Sequence, residues 1–327
     1  MKIKIPNRLE QEFLCDFNKI LFEVIDYENV TIDFSELHFS RPYSMLCVGS
    51  YIKRFVHERK TCGLETYQAG IDASTSAHSY LMHIGFFDYI GLKLGKKIGE
   101  ASGSNTYFPI HKISHDELLI KQSPPYTTLA DVIHIESKSL AKVILGNASK
   151  ESLLVISYCL REIIRNVFEH SGSENCFICG QQWYDSVQIA IIDEGVGIRN
   201  SLQTKYKSDN DKDAILYAIQ PGISGKNIEE STKNKHDNSG FGLYILSEIG
   251  KQFGWFTVSS GNSKLILSNN NKHDEKIIHN NGTSIGLHLD KYPKSFQKTL
   301  DEIIHNGEFE AYMEGRSISA SITSRTI

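Results

Sequence analysis

Three polar residues at helical spacing, Glu162, Asn166 and His170, stand in the run REIIRNVFEH that spans Arg161 to His170. At about 100° per residue, positions i, i+4 and i+8 drift by only about 40° per step, so the three form one stripe along a helix. Their types suit chemistry on a phosphate ester. An asparagine amide oxygen can ligate a hard divalent cation such as magnesium, whose remaining positions go to phosphate oxygens and water. A glutamate one turn earlier can orient or deprotonate a water that attacks a terminal phosphate. About two dozen residues later, Asp193-Glu-Gly-Val-Gly-Ile198 puts a carboxylate at the end of a strand-like run. Such a carboxylate accepts a hydrogen bond from an exocyclic amine such as adenine N6, whereas guanine presents a carbonyl there and is repelled. Gly195 and Gly197 let the backbone approach a planar ligand without a Cβ in the way. The same residues also fit an ordinary Asp–Gly turn, and Glu162 also fits a solvated surface acid. A third piece, Ser239-Gly-Phe-Gly-Leu243, opens a helix. Gly240, Phe241, Gly242 and Leu243 would then offer unpaired N–H groups and a positive dipole end to phosphates. Of the lysines that precede it, Lys226, Lys233 and Lys235, the first is the favoured phosphate contact.

The elements that must hold these groups follow α/β patterning. Ile156, Leu160, Ile163, Ile164 and Val167 recur at three- and four-residue spacing and give the helix of the stripe its buried side. Arg165 and Glu169 read as an ordinary i,i+4 ion pair. Strands are expected at 175–181 and 187–193 behind that helix. Upstream, 29–34 and 64–69 read as strands and 43–58 and 75–84 as helices, a smaller α/β unit over residues 1–92. Residues 93–128 turn to Gly, Ser, Lys and Pro around one short apolar piece, 107–113, and read as a connection. The main domain is expected over 129–292. Roughly forty residues, 199–239, separate the Asp193 turn from the glycine-rich helix start, a length that points to a functional lid. Asp211–Gln220 within it reads as a short helix, 241–253 as a longer one, and 255–260 and 283–289 as strands. A helix at 295–305 precedes a serine-rich tail to which the sequence assigns nothing, within a final segment 293–327.

The chain's 327 residues suffice for two domains, and a net charge of −4 with no basic tract argues against nucleic-acid binding. The charged N-terminus lacks a signal-peptide core, and no run approaches the roughly eighteen apolar residues of a membrane span. A cytoplasmic protein is expected. The six cysteines lie mostly in apolar segments, so no disulfide framework is expected. Cys176 and Cys179 have CxxC spacing, but on a strand they face opposite ways and cannot share a metal.

In order and spacing, the ExxxNxxxH helix, the Asp193 turn, the lid, SGFGL and Asn281-Gly-Thr283 resemble the ATP-binding domain of the GHKL superfamily, which includes gyrase-type ATPases, heat-shock chaperones, histidine kinases and anti-sigma factor kinases. The resemblance covers about residues 130–290 and is nearest to the anti-sigma factor kinases. It implies a two-layer α/β sandwich, a mixed sheet covered by helices, with ATP and magnesium as cofactors. It further implies Glu162 as the catalytic acid residue, Asn166 as magnesium ligand, Asp193 as adenine ligand with Gly195 and Gly197 in its turn, Gly240 and Gly242 in the phosphate loop, and Thr283 as a second contact near adenine. Asn238 stands where the family's glycine pattern begins. The N-terminal part is similar to STAS domains through the strand VTIDFS, the segment Phe39–Ser44 and the run Ile84–Asp88. Pro42 occupies the place where such antagonists carry a phosphorylatable serine, with Ser44 nearby. Together these imply a protein partner, one of STAS type among the options, a homodimer, and a bacterial signalling or defence role. The reaction stays open between an ATPase switch, a serine or histidine kinase, for which His115-Asp-Glu-Leu118 is the only histidine box, and a nucleotide-dependent binding module.

Overall fold

A computed structural model describes residues 1–104, 106–122, 128–146, 148–203, 205–225, 239–269 and 271–326. The chain is a mixed α/β protein. Strands β1 (Lys2–Lys4), β3 (Asn29–Asp33) and β5 (Glu65–Ala69) pair in parallel in the order β1-β3-β5, while β2 (Arg8–Leu9) and β4 (Phe39–Ser40) form a separate two-stranded pair. Helices α1 (Leu14–Glu23), α2 (Pro42–Thr61), α3 (Ser76–His83) and α4 (Phe86–Tyr89) complete this part. Helix α2 begins on Pro42, where a missing N–H costs nothing because the first turn has no partner for it.

The second part contains β6 (Tyr107–Ser114), α5 (His115–Ile120), α6 (Leu129–Leu145), α7 (Lys150–Asn166), β7 (Asn175–Gln182) and β8 (Val187–Asp193), then α8 (Gly197–Leu202), α9 (Asp211–Ala218), α10 (Gly242–Phe253), β9 (Gly254–Ser268), β10 (Asn271–Leu289), α11 (Phe296–Met313) and α12 (Ile322–Arg325). Thr128 caps α6 in a reciprocal box with Asp131, and Ser149 and Asn210 cap α7 and α9 through their side chains. A π-helical turn, Val167–Ser171, continues α7.

Five strands form one sheet in the order β6-β7-β8-β10-β9, and every pairing in it is antiparallel. This departs from the expected mixed sheet. The 93–128 stretch, expected as a connection, supplies the edge strand β6. Nor is the arrangement two-layered. Strand residues point alternately to opposite faces, and along β8 Ile189 and Ile191 enter a core with α6, α7 and α10, while Ala190 and Ile192 enter a second core with α2 and α4. Cys176 and Cys179 divide between those same two cores, on opposite faces as expected. The sheet is therefore buried on both sides, and all seven residues of β8 are buried.

Helix α2 is the element that covers the second face. The Tyr43 N–H donates to Gln188 Oε1 at 3.0 Å, its hydroxyl lies 3.3 Å from Ser284 Oγ, and Cys179 Sγ donates to the Pro42 carbonyl at 3.5 Å. Ser44 is 1% exposed, so its hydroxyl is closed to any modifying enzyme in this arrangement. Gly286 is what lets the Tyr43 ring lie flat on the sheet: a Cβ there would stand 2.6 Å from Tyr43 Cδ2 and 2.8 Å from Thr257 Cγ2. Gly286→Ala is expected to destabilise the protein by about 1–3 kcal/mol, the usual cost of overpacking a filled core. Urea unfolding midpoints would show it, and an unchanged midpoint would mean that the interface adjusts freely. Among the described residues no helix is long and apolar enough to cross a membrane.

Candidate functional site

Helix α7 is the central helix of the sheet's first face, buried nearly all round from Val155 to Arg165. Glu162, the first residue of the polar stripe, is therefore buried, while Asn166 and His170 are half-buried and face a cleft. The carboxylate of Glu162 is 3% exposed: the Arg161 Nε donates to its Oε1 at 3.1 Å, Arg161 Nη2 lies at 3.0 Å, and Arg165 Nη1 at 3.9 Å. Arg165 also pairs with Glu169 at 3.0 Å, as its spacing predicts, with the arginine buried and the glutamate partly exposed.

Beyond Asn166 the chain takes the π turn, which inserts one residue into the helical register, a feature that recurs at functional sites. As a result His170 and Ser171 join Asn166 along one wall of a cleft of about 700 Å³, measured out to its open mouth. Ile163, Val167, Ile198, Leu202, Ile223 and Ile285 make most of the remaining wall apolar. Asn166, His170, Ser171, Asp193 and Thr283 place polar groups within this apolar lining, the composition of a small-molecule site.

Asp193 is a buried residue of this lining. Its carboxylate accepts from the Gly195 N–H at 2.8 Å and from the Thr283 N–H, with the Ser171 hydroxyl against it. Burial nonetheless dominates and pushes its pKa from the usual 3.8 up to about 6. Thr283 faces Asp193 directly across the β8–β10 ladder. The glycines of the turn have a reason that differs from the expected one. A Cβ on Gly195 would stand 2.2 Å from the Ser171 carbonyl oxygen, which accepts from the Val196 N–H at 2.8 Å. Gly195 thus serves the chain's own packing against the π turn, and it faces a neighbouring opening instead of the main cleft.

The start of α10 also lines the cleft. Its first turn has no side-chain cap and no acidic residue, so its N–H groups and dipole are uncompensated by its own side chains. Gly240 and Gly242 line the cleft there with Leu243, whereas the Phe241 ring is fully buried and can offer only its backbone. Gly242 touches the catalytic candidate: a Cβ at this position would stand 2.6 Å from Glu162 Oε2. Glu162 therefore lies directly behind the start of α10, outside the cleft lining itself. The lid's two stems meet at Gly222, whose N–H donates to the Gly240 carbonyl at 3.2 Å.

No protein-family model matches this chain, and no curated protein matches it. The site's meaning rests on its own geometry.

Of the residues expected to act, Asn166, Asp193, Gly197, Gly240, Gly242, Leu243 and Thr283 share the cleft. Glu162, Gly195 and Phe241 lie just behind it. Lys226, with Lys233, Lys235 and Asn238, lies outside the described residues. Ser171 was missed, and only the π turn makes it a wall residue; a serine four residues before the next strand gives no sequence signal. Among the described residues no cluster of three His, Cys, Asp or Glu could hold a metal by itself. A cation here would need oxygens from its ligand, which suits a single amide ligand such as Asn166.

The raised pKa of Asp193 has a testable sign. The folded state holds its proton up to about pH 6, above the usual 3.8, so this group's contribution to stability is present in acid and is lost as pH rises through that window. A ligand amine needs the ionised carboxylate. Ligand affinity is therefore expected to rise with pH through about 6, and calorimetric titrations one unit above and one below should differ by up to about tenfold. Equal affinities on both sides would remove Asp193 from recognition.

Proposed function

We propose that the cleft binds ATP with magnesium and that the protein hydrolyses it, as a nucleotide-driven switch of the GHKL type. The observation that carries this is that a buried carboxylate, Asp193, and the start of α10, which has no side-chain cap, line one and the same largely apolar cleft. Adenine's exocyclic amine would donate to Asp193. Phosphates would lie on the N–H groups at Gly240–Leu243, where the helix dipole favours negative charge. Asn166 would supply one oxygen to magnesium, which withdraws charge from the phosphates, and Glu162 would orient the attacking water from behind Gly242.

The N-terminal part would act as a STAS-like module docked in cis through α2. Its link to the site is an ion pair of 2.6 Å between Lys53 of α2 and Glu194, the residue after Asp193. That link supports a switch in which nucleotide alters the surface offered to a protein partner or a second copy of the chain. A second reading, a binding module without turnover, is favoured by one observation: Glu162 is buried in ion pairs and does not line the cleft.

Incubation with γ-labelled ATP and magnesium tests the proposal. Free labelled phosphate is expected. Label on a protein band would favour a kinase, and bound but unreleased label a module without turnover. Equal affinity for ATP and GTP would refute the adenine assignment.

A further inference from the structure

The C-terminal segment, to which the sequence assigns nothing, makes its polar contacts at two places that bear on the site. Its first anchor is the lid base. Arg316 Nη1 donates to the Pro221 carbonyl, and the Ile318 side chain fills the space over Gly222, where a Cβ would meet it at 1.7 Å. On the other stem the Ser321 N–H donates to Ser239 Oγ at 2.9 Å. Glu308 holds the segment from α11, accepting from the Ala320 N–H at 2.9 Å and pairing with Arg325.

Its second anchor is Arg161. Arg161 Nη1 donates to the Thr326 carbonyl at 2.8 Å and Nη2 to the Thr323 carbonyl at 2.9 Å, while Nε donates to Glu162 Oε1 at 3.1 Å. The guanidinium lies over the Tyr158 ring, 4.6 Å from its centroid, and the Tyr158 hydroxyl donates to the Ser324 carbonyl at 2.9 Å. A planar guanidinium has its donors in fixed directions, so two tail carbonyls and a ring face together define where Nε points. Nε in turn fixes Oε1, and with Oε1 fixed the second oxygen is turned to Gly242 at the start of α10.

We propose that Arg161 is a positioning residue for Glu162, and that the segment 316–326 sets its position, so that one strap links Pro221, Gly222 and Ser239 to the carboxylate that orients water. The inference rests on the proposed ATPase reading. It predicts an effect on turnover and none on binding, because Arg161 is not among the residues that line the cleft. Lysine at this position keeps a positive charge but cannot bridge Glu162 and two carbonyls in one plane.

The test is a double-mutant cycle on the full chain, Arg161→Lys and Tyr158→Phe, read by steady-state kinetics and by calorimetry with magnesium-ATP. Arg161→Lys is expected to lower kcat by about 10- to 100-fold, the scale of a small misplacement of a catalytic group, with KM and ATP affinity within about twofold of the intact protein. Tyr158→Phe keeps the ring and removes the tail's anchor, and should lower kcat in the same direction. Acting through one link, the two losses should not add. Unchanged kcat in Arg161→Lys, or additive losses, overturns the proposal while leaving the ATPase reading intact. Parallel falls in ATP affinity and kcat overturn it as well, since they mark a general structural role. An intact protein that binds no ATP or releases no phosphate overturns the ATPase reading itself, and with it this inference, before either variant is made.

Discussion

Glu162→Gln is expected to abolish ATP turnover, by about 10²- to 10⁴-fold, the usual worth of a positioned general base, while ATP binding persists. The amide is nearly isosteric and keeps the packing behind Gly242, where Oε2 now lies within 2.6 Å of the place a Cβ would occupy. What it loses is negative charge. Under the proposed reading, phosphates would meet backbone N–H groups at Gly240 to Leu243 and adenine would meet Asp193, so neither contact would depend on that charge. The substitution carries a cost in stability, because Arg161 and Arg165 both face this carboxylate from buried positions. Leaving buried cations without their partner costs up to about 3–5 kcal/mol. Thermal melting of the variant should therefore be measured beside phosphate release from γ-labelled ATP and beside calorimetric binding. A folded variant that binds ATP and releases no phosphate is the expected outcome. Turnover equal to that of the intact protein would take Glu162 out of the mechanism.

What the sequence made legible was local and periodic. The helix of the stripe, the strands 175–182 and 187–193, and the opposite facing of Cys176 and Cys179 all follow from spacing along one element, and the structure shows them within a residue or two. Elements that depend on distant partners were harder to read. Strand β6 reads as a short apolar piece among turn residues because the evidence for it is its pairing with β7, some seventy residues away. The β9–β10 hairpin runs to Ser268 on its first strand, past the expected end at Ser260. The reason is Lys264, a fully buried lysine that donates to the Gln11 carbonyl at 3.1 Å and pairs with Glu275 at 2.8 Å. A buried charge breaks the apolar alternation by which a strand is recognised, and its partners, Glu275 on the next strand and the Gln11 carbonyl near the other end of the chain, are not local to it. The tail illustrates the same limit: its hold on Arg161 runs through backbone carbonyls, which no side-chain pattern encodes. At the site, residue types singled out Asn166 and Asp193, which the structure brings into one cleft, whereas the π turn that brings Ser171 against Asp193 has no composition of its own.

Asn166→Ala is expected to weaken ATP binding by about 10- to 100-fold, roughly 1.4–2.7 kcal/mol, and to do so only when magnesium is present. Asn166 ends α7 and lines the same cleft as His170, Ser171, Asp193 and the start of α10. It is one helical turn from Glu162, so a cation held by its amide oxygen would stand near the phosphates and near the attacking water at once. No acidic or histidine cluster among the described residues could hold that cation in its place. The amide and the nucleotide's own oxygens must then share the task, and the two cannot bind tightly without each other. Chelation of magnesium should therefore reduce the intact protein's ATP affinity to that of the variant, while the variant itself should respond little to the chelator. Adenosine, which has no phosphates, should bind both proteins alike through Asp193 and Thr283. Calorimetry with ATP and adenosine, each with magnesium or with chelator, separates these contributions. Should Asn166→Ala keep the full magnesium dependence, the cation is held elsewhere and the stripe on α7 loses its binding role. Should adenosine affinity fall along with that of ATP, the substitution has disturbed the end of α7, and the π turn behind Asp193 depends on Asn166 for its shape.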